Sequence, residues 1–183
     1  MKTQAESANY ALDNLLTELE LIKNLEIRDF TKAAILCAPG LYWYKPSAFY
    51  KGHHPDDELG EWGNLIHVKR TIVIGRIFAE IENLDSITCD TLYSGMTIHD
   101  LGKYDVLGDC ERIVKHHPDL VSAIVLGLPQ LPQWELLRPI LLVATTHMGR
   151  WGNVKPNTLL EKLGHYCDCI AARVSVSIPI TLK

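Results

Sequence analysis

Helical periodicity is the feature of the sequence that most constrains its fold. In the first predicted helix, residues 5–24, apolar side chains recur at the spacing of one helical face. They are Leu12, Leu15, Leu16, Leu19 and Ile22. The patterns that follow predict six more helices, over residues 28–37, 64–82, 87–99, 117–127, 134–147 and 156–175. We therefore predict an all-α fold.

Two segments lack helical periodicity. Residues 37–63, "CAPGLYWYKPSAFYKGHHPDDELGEWG", are rich in Pro, Gly and aromatic residues, which predicts a long structured loop of the kind that often carries function. The tail, residues 174–183 with the sequence "VSVSIPITLK", alternates β-branched residues. This tail is predicted to form either a short β element or a segment that packs without a strand.

Composition excludes several classes of protein. The chain has 183 residues, 47% of them hydrophobic, which fits one domain with a single core. With 18 basic and 22 acidic residues its net charge is −4, so no global field attracts nucleic acid or an anionic membrane. No signal-peptide pattern opens the sequence, and no apolar run reaches the roughly 18 residues of a membrane span. We expect a cytoplasmic protein with no membrane partner, and its five irregularly spaced cysteines indicate reduced thiols.

Histidine and aspartate residues fall at the ends or on the faces of five predicted helices. The six potential metal ligands are His67, His99, Asp100, His117, His147 and Asp168. Neutral imidazoles and carboxylates bind divalent transition metals, and converging helix ends can hold them around an ion. One ion is predicted at His67, His99, Asp100 and Asp168; His117 and His147 would bind a second, with Asp100 as the bridge. Two ions about 3.5–4 Å apart activate a water and bind a phosphate oxygen, which predicts phosphoester hydrolysis.

The order of these residues resembles the HD-domain family of metal-dependent phosphohydrolases. "IHDLGKY" is similar to the H-D-x-G-K element of that family, and "KHHPDLVSAIV", "ATTHMGRWG" and "LGHYCDCIAAR" are similar to its later His and Asp elements. The segment "KPSAFYKGHHPDDELGEWGNLIH" resembles the approach to the first His in the 3′→5′ exoribonuclease branch. The resemblance implies one HD-type helical bundle around a metal site, with N-terminal helices over 1–45, a metal-binding core over 46–173 and a tail over 174–183.

Three further residues are candidates for catalysis beside Asp100. The ammonium of Lys103 can neutralise phosphate charge, although a lysine at a helix C-terminus is also favoured by the helix dipole. Arg150 can bind a phosphate, or it is a solvated surface residue. In the pair His53-His54, one ring, assigned to His54, can protonate a leaving group or contact a phosphate, or it is a packed loop histidine.

The resemblance implies a phosphoric ester hydrolase that cleaves a nucleotide or short oligonucleotide with a metal-activated water. The cofactor is one or two ions of Mn²⁺, Fe²⁺, Ni²⁺, Co²⁺ or Zn²⁺. Two alternatives stay open: a 3′→5′ exonuclease acting on single-stranded nucleic acid, and a non-catalytic nucleotide-sensing module. The sequence has no pattern of an OB-type second domain, which disfavours the exonuclease. It also leaves open whether the chain forms a homo-oligomer.

Overall fold

The computed structural model describes residues 2–104, 116–176 and 178–183. Seven α-helices account for the regular structure of these residues: α1 (Gln4–Leu19), α2 (Leu25–Leu36), α3 (Gly63–Ile81), α4 (Ser86–Ile98), α5 (His117–Leu126), α6 (Trp134–Thr146) and α7 (Leu159–Ala171). The prediction of an all-α fold is confirmed. None of the described helices combines the length and the apolar character needed to cross a membrane.

Local capping sets where several helices begin. Asn24, Asp85 and Thr158 each accept a hydrogen bond from a backbone N–H in the first turn of α2, α4 and α7. Thr3 and Glu6 form a reciprocal capping box at the start of α1. These side chains satisfy N–H groups that have no partner within the helix, so the sequence defines these helix starts locally.

The first helix is shorter than predicted and presents a different face to the core. It ends at Leu19, because the backbone N–H groups of Lys23 and Asn24 donate to the buried carboxylate of Asp90 on α4, at 2.8 and 2.7 Å. The predicted core residue Leu16 is 45% exposed, whereas Ala8 and Ala11 are buried. The apolar face therefore includes small residues that the spacing of leucines did not reveal.

Helix α4 lies at the centre of the bundle and contacts α2, α3, α6 and α7. Two glycines allow α4 and α7 to pack closely against α6. A Cβ atom at Gly95 of α4 would lie 2.6 Å from Cγ1 of Val143, and one at Gly164 of α7 would lie 2.8 Å from the same atom. This packing brings the C-terminal ends of α4 and α6 beside α7.

The long predicted loop folds back over the start of α3. It contains two short 3-10 turns, Tyr42–Tyr44 and Asp56–Glu58. The N–H of Ser47 donates to the carbonyl of Glu58 at 2.8 Å, which joins the two halves of the loop. A side chain at Gly63 would overlap that same carbonyl, so only glycine fits at the first residue of α3.

The C-terminal tail forms no strand in residues 174–176 and 178–183, so the prediction of a short β element is wrong and the packed alternative holds. Side chains of α1 and α3, and not a neighbouring strand, form hydrogen bonds with the backbone of the tail. The N–H of Lys183 donates to Asn14 at 2.6 Å, its carbonyl accepts from the hydroxyl of Tyr10 at 2.8 Å, and the carbonyl of Ile178 accepts from Nε of Arg70 at 3.1 Å.

The described cysteines are free thiols, as predicted: Cys37, Cys89, Cys167 and Cys169. Cys110 lies outside the described residues.

Candidate metal centre

The six predicted metal ligands meet at one buried point, which we call the His/Asp cluster: His67, His99, Asp100, His117, His147 and Asp168. Five helices supply them. His67 lies near the start of α3, His99 is the C-cap of α4 and is followed directly by Asp100, His117 begins α5, His147 is the C-cap of α6, and Asp168 lies on α7. The four histidines and Asp100 are each at most 4% exposed.

Two of the histidines are held in the same way. Nδ1 of His99 lies 2.6 Å from the carbonyl of Met96, and Nδ1 of His147 lies 2.6 Å from the carbonyl of Ala144. A carbonyl oxygen can only accept, so each Nδ1 carries the proton. In the neutral rings each Nε2 therefore carries a lone pair and no proton. Both Nε2 atoms face the carboxylate of Asp100.

Asp100 lies between two sets of imidazoles. Its Oδ2 is 3.4 Å from Nε2 of His99, while its Oδ1 is 2.8 Å from Nε2 of His117 and 3.4 Å from Nε2 of His147. Burial would raise the pKa of this carboxyl, but Lys103, His99 and His117 hold it well below its usual value. Asp100 is thus ionised and presents one oxygen to each set.

Asp168 and His67 complete the other side of the cluster. Nε2 of His67 lies 3.1 Å from Oδ1 of Asp168, and Nε2 of His99 lies 3.8 Å from the same oxygen. Burial would lower the pKa of His67, but Glu58 and Asp168 together raise it to about 10. A metal ion at this point would compete with a proton for Nε2 of His67.

The residues of the cluster fit a metal ion. The ligand atoms of His67, His99 and Asp168 lie within 4.8 Å of one another, as do those of His99, Asp100 and His147. Two atoms bound about 2.1 Å from one ion lie about 3.0–3.4 Å apart at octahedral or tetrahedral angles. Nε2 of His99 is buried without a hydrogen-bond partner among the described residues, at 3.4 Å from Asp100. His99 belongs to both groups and offers one nitrogen, so either group could hold a transition metal with nitrogen and oxygen ligands.

Lys103 and His54, two of the predicted catalytic residues, lie beside the cluster. Nζ of Lys103 is 2.8 Å from Oδ2 of Asp100 and donates to Oγ of Ser47 at 3.3 Å, and the residue is only 6% exposed. The ring of His54 lies 5.1 Å from that of His67, centroid to centroid. Its neighbour His53 is exposed, so His54 is the member of the pair that reaches the cluster.

The structure does not bring Arg150 into the cluster. This residue follows His147 on the 3-10 turn Gly149–Trp151, is exposed, and places its guanidinium 4.4 Å from the centre of the Trp151 ring. The 3-10 turn leaves Arg150 at the surface, so three residues of separation in sequence do not keep its guanidinium beside His147.

Sequence reasoning missed Glu58, which is fully buried behind His67. Its Oε2 lies 3.0 Å from Nδ1 of His67 and 2.6 Å from Nδ1 of His54, and its Oε1 pairs with the guanidinium of Arg70. Burial would raise the pKa of Glu58, but His67 and His54 lower it to about 2. No sequence signal separates Glu58 from its acidic neighbours Asp56 and Asp57, because only burial distinguishes the three.

Comparisons with known proteins give no relative for the chain. No family model, no curated protein and no solved structure matches it. A functional interpretation therefore depends on the geometry of the His/Asp cluster and on the motifs that contain its residues.

Proposed function

We propose that the chain is an HD-type, metal-dependent phosphohydrolase that cleaves a phosphoester of a nucleotide or short oligonucleotide. One observation carries the proposal: Nε2 of His99 is buried, has no hydrogen-bond partner in the described part of the chain, and faces oxygens of Asp100 and Asp168. A lone pair held beside two carboxylates is costly unless a cation lies between them. A divalent metal ion supplies that charge.

The proposed ligands divide into two sets that share one carboxylate. His67, His99, Asp100 and Asp168 would hold the first ion, and Asp100, His117 and His147 would hold a second. Nitrogen and oxygen ligands of this kind suit Mn²⁺, Fe²⁺, Ni²⁺, Co²⁺ or Zn²⁺. Bound ions of this class polarise a phosphoryl oxygen and lower the pKa of a bound water. Phosphoester hydrolysis needs both effects.

Lys103, His54 and Arg150 are proposed to balance charge and to transfer a proton. Lys103 holds the carboxylate of Asp100 in place through its bond to Oδ2, and its ammonium offsets negative charge that a phosphate brings to the site. His54 is oriented by Glu58 through Nδ1. In the imidazolium form, which Glu58 favours although burial lowers the pKa of the ring, the other nitrogen of His54 can deliver a proton to the leaving-group oxygen. Arg150 contributes a cation at the surface, where it contacts outlying phosphate groups of a longer substrate.

The second candidate function is a 3′→5′ exonuclease. The position of His54 supports it, because this residue belongs to the segment that resembles the exoribonuclease branch and lies beside the cluster. The two activities differ in their response to salt. Hydrolysis of a mononucleotide depends weakly on ionic strength, whereas binding of a strand through several phosphates falls steeply as salt rises.

The test is turnover of bis(p-nitrophenyl) phosphate with added Mn²⁺, followed by a panel of nucleotides and single-stranded oligonucleotides. Elemental analysis of the purified chain identifies its metal. We expect hydrolysis by the wild-type chain and its loss in Asp100→Asn, which keeps the size of the side chain but removes its charge. The exposed Asp13→Asn is the matched control and keeps wild-type turnover. A metal-loaded chain that binds nucleotides but hydrolyses none of the panel would instead be a nucleotide sensor.

A further inference from the structure

A single buried carboxylate supports two histidines at the edge of the His/Asp cluster. Glu58 lies on the turn Asp56–Glu58, and its side chain is 0% exposed. One of its oxygens, Oε2, is 3.0 Å from Nδ1 of His67 and 2.6 Å from Nδ1 of His54. One oxygen thus contacts both a proposed metal ligand and the proposed proton donor.

These contacts are hydrogen bonds and not a further metal site. The ligand atoms of His54, Glu58 and His67 lie close enough together to hold an ion. However, the 2.6 Å between Nδ1 of His54 and Oε2 of Glu58 is shorter than the distances between ligand atoms within the His/Asp cluster and is typical of a charge-assisted hydrogen bond. The other oxygen of Glu58 already pairs with Arg70.

The hydrogen bond decides which nitrogen of His67 faces the cluster as a ligand. An ionised carboxylate has no proton to donate, so Nδ1 of His67 must carry one. The other nitrogen, Nε2, lies 3.1 Å from Oδ1 of Asp168, on the side of the cluster. Glu58 therefore makes Nε2 the nitrogen that a metal ion binds on displacing a proton, and it holds the plane of the ring.

Glu58 cannot rotate away from the histidines, because its second oxygen is also held. Arg70 pairs with Oε1 of Glu58, and its other terminal nitrogen lies 2.7 Å from Asp57. Nε of Arg70 donates to the carbonyl of Ile178 in the C-terminal tail at 3.1 Å. Contacts from the loop and the tail thus fix the guanidinium of Arg70 on α3, and this guanidinium holds the carboxylate of Glu58 in place.

We propose that Glu58 is a positioning residue of the metal centre, which sets the tautomer of His67 and the orientation of both His67 and His54 through one oxygen. This inference rests on the proposed function, since it requires a metal ion bound by His67. Glu58 itself touches neither the metal nor the substrate. Its removal acts on metal binding through His67 alone.

The most informative variant is Glu58→Gln. The amide has one oxygen, and the permanently charged guanidinium of Arg70 attracts that oxygen most strongly. The NH₂ group then faces Nδ1 of His67 and donates to it, which moves the ring proton to Nε2 and blocks the metal-binding lone pair. Asp56→Asn is the matched control, because Asp56 lies on the same turn, is exposed, and in the described structure its side chain pairs with neither histidine and not with Arg70.

The measurements are the dissociation constant for Co²⁺, obtained by competition with a chelator, and the visible absorption spectrum of the Co²⁺ form. Thermal unfolding of the metal-free proteins establishes that each variant folds. We expect Glu58→Gln to weaken Co²⁺ binding by about 10–100-fold, the usual effect of losing a residue that orients a ligand, and to change the spectrum. Asp56→Asn keeps the wild-type affinity and spectrum.

A second variant covers the case in which Glu58→Gln does not fold. The double substitution Glu58→Met with Arg70→Met replaces the buried ion pair by apolar side chains of similar length, a change that proteins often tolerate. It leaves Nδ1 of His67 without its acceptor, and we expect the same loss of Co²⁺ affinity. Wild-type affinity and spectrum in either folded variant would overturn the role of Glu58. A wild-type chain that binds no Co²⁺ would overturn the proposed function itself.

Discussion

The histidines of the His/Asp cluster are fixed in two different ways. His99 and His147 each donate from Nδ1 to a carbonyl three residues earlier in the same helix end, both at 2.6 Å. His67 instead faces a side chain, Glu58, that a separate loop brings to it. The first arrangement is local and uses the backbone, whereas the second needs the loop, Arg70 and the tail to be in place.

This difference predicts unequal sensitivity to mutation. No side-chain substitution removes the carbonyl that holds His99 or His147, so these rings lose their orientation only if the helix end itself changes. The orientation of His67 depends on one carboxylate and can be removed by one substitution. The helix-end histidines thus form the constant part of the centre, and the His67 side is the part that distant residues can adjust.

Removing a helix-end ligand should have the largest effect. Nε2 of His99 is a proposed ligand of the first ion and faces oxygens of both Asp100 and Asp168, so His99→Ala removes a nitrogen ligand outright. We expect its loss of Co²⁺ affinity to exceed the about 10–100-fold change that follows loss of an orienting residue such as Glu58. Competition titrations of the two variants measure the difference. His116→Ala, an exposed histidine, is the control, and a smaller effect in His99→Ala than in Glu58→Gln would contradict the comparison.

The pH dependence of metal binding should report on the His67 side. Burial opposes the charge on His67, but Glu58 and Asp168 raise its pKa to about 10, so a metal ion must displace a proton at neutral pH. Release of one proton makes the affinity rise by about tenfold per pH unit below that pKa. Co²⁺ titrations between pH 6.5 and pH 8.5 measure the slope. A slope unchanged in Glu58→Gln would show that Glu58 does not stabilise the charged ring.

The same pKa fixes the sign of a change in stability. Because the pKa of His67 in the folded chain lies above its ordinary value of 6.5, this group stabilises the metal-free fold fully below pH 6.5. That contribution is lost as the pH rises towards 10. Urea unfolding of the metal-free chain should therefore show lower stability at pH 9 than at pH 6. In a metal-loaded chain His67 is already deprotonated at Nε2, so the free energy of unfolding should fall less between pH 6 and pH 9.

Overpacking between α4 and α6 should disturb the helix-end histidines together. A methyl group at Gly95 would lie 2.6 Å from Cγ1 of Val143, so Gly95→Ala should cost about 1–3 kcal/mol and push the ends of the two helices apart. Urea unfolding measures the cost, and the spectrum of bound Co²⁺ measures the displacement. Gly127→Ala is the control, because its nearest contact is at 3.4 Å. Equal stability of the two variants would be the contrary result.

The smallest effect is expected at the tail. The hydroxyl of Tyr10 donates to the carbonyl of Lys183 at 2.8 Å, at an exposed position. Tyr10→Phe should destabilise the chain by about 0.5–1.5 kcal/mol at most, the net value of one hydrogen bond. Thermal unfolding measures it. The described contacts between the tail and the cluster run through Arg70 and Glu58, so Co²⁺ binding should change less than in Glu58→Gln. An equal change would mean that the tail supports the site by another route.

Much of the fold could be predicted from the sequence because helix limits depend on nearby residues. The predicted helix over 64–82 is observed as Gly63–Ile81, and that over 134–147 as Trp134–Thr146. The first helix was predicted too long, since its end depends on Asp90 of α4, which lies far away in the sequence. The tail was ambiguous for the same reason, because its partners Asn14 and Arg70 are remote.

The candidate site also has features that the sequence predicts and features that depend on remote contacts. The position of each candidate ligand on a helix end or face was predictable from the sequence. Two features were not. Arg150 turns to the surface because a 3-10 turn follows His147, and Glu58 is buried while its neighbour Asp57 stays 44% exposed at its side chain. Neither outcome depends on residue type or spacing alone.

The sequence by itself determined where α1, α2, α4 and α7 begin, because capping hydrogen bonds within a few residues decide these starts. It also determined which histidines and aspartates lie at helix ends. Only the tertiary structure decided that these residues share one buried point, that Lys103 pairs with Asp100, and that Glu58 lies behind His67. The physical reason is that burial and ion pairing depend on which distant segments pack together, and here two glycines and a single valine set how closely the central helices approach.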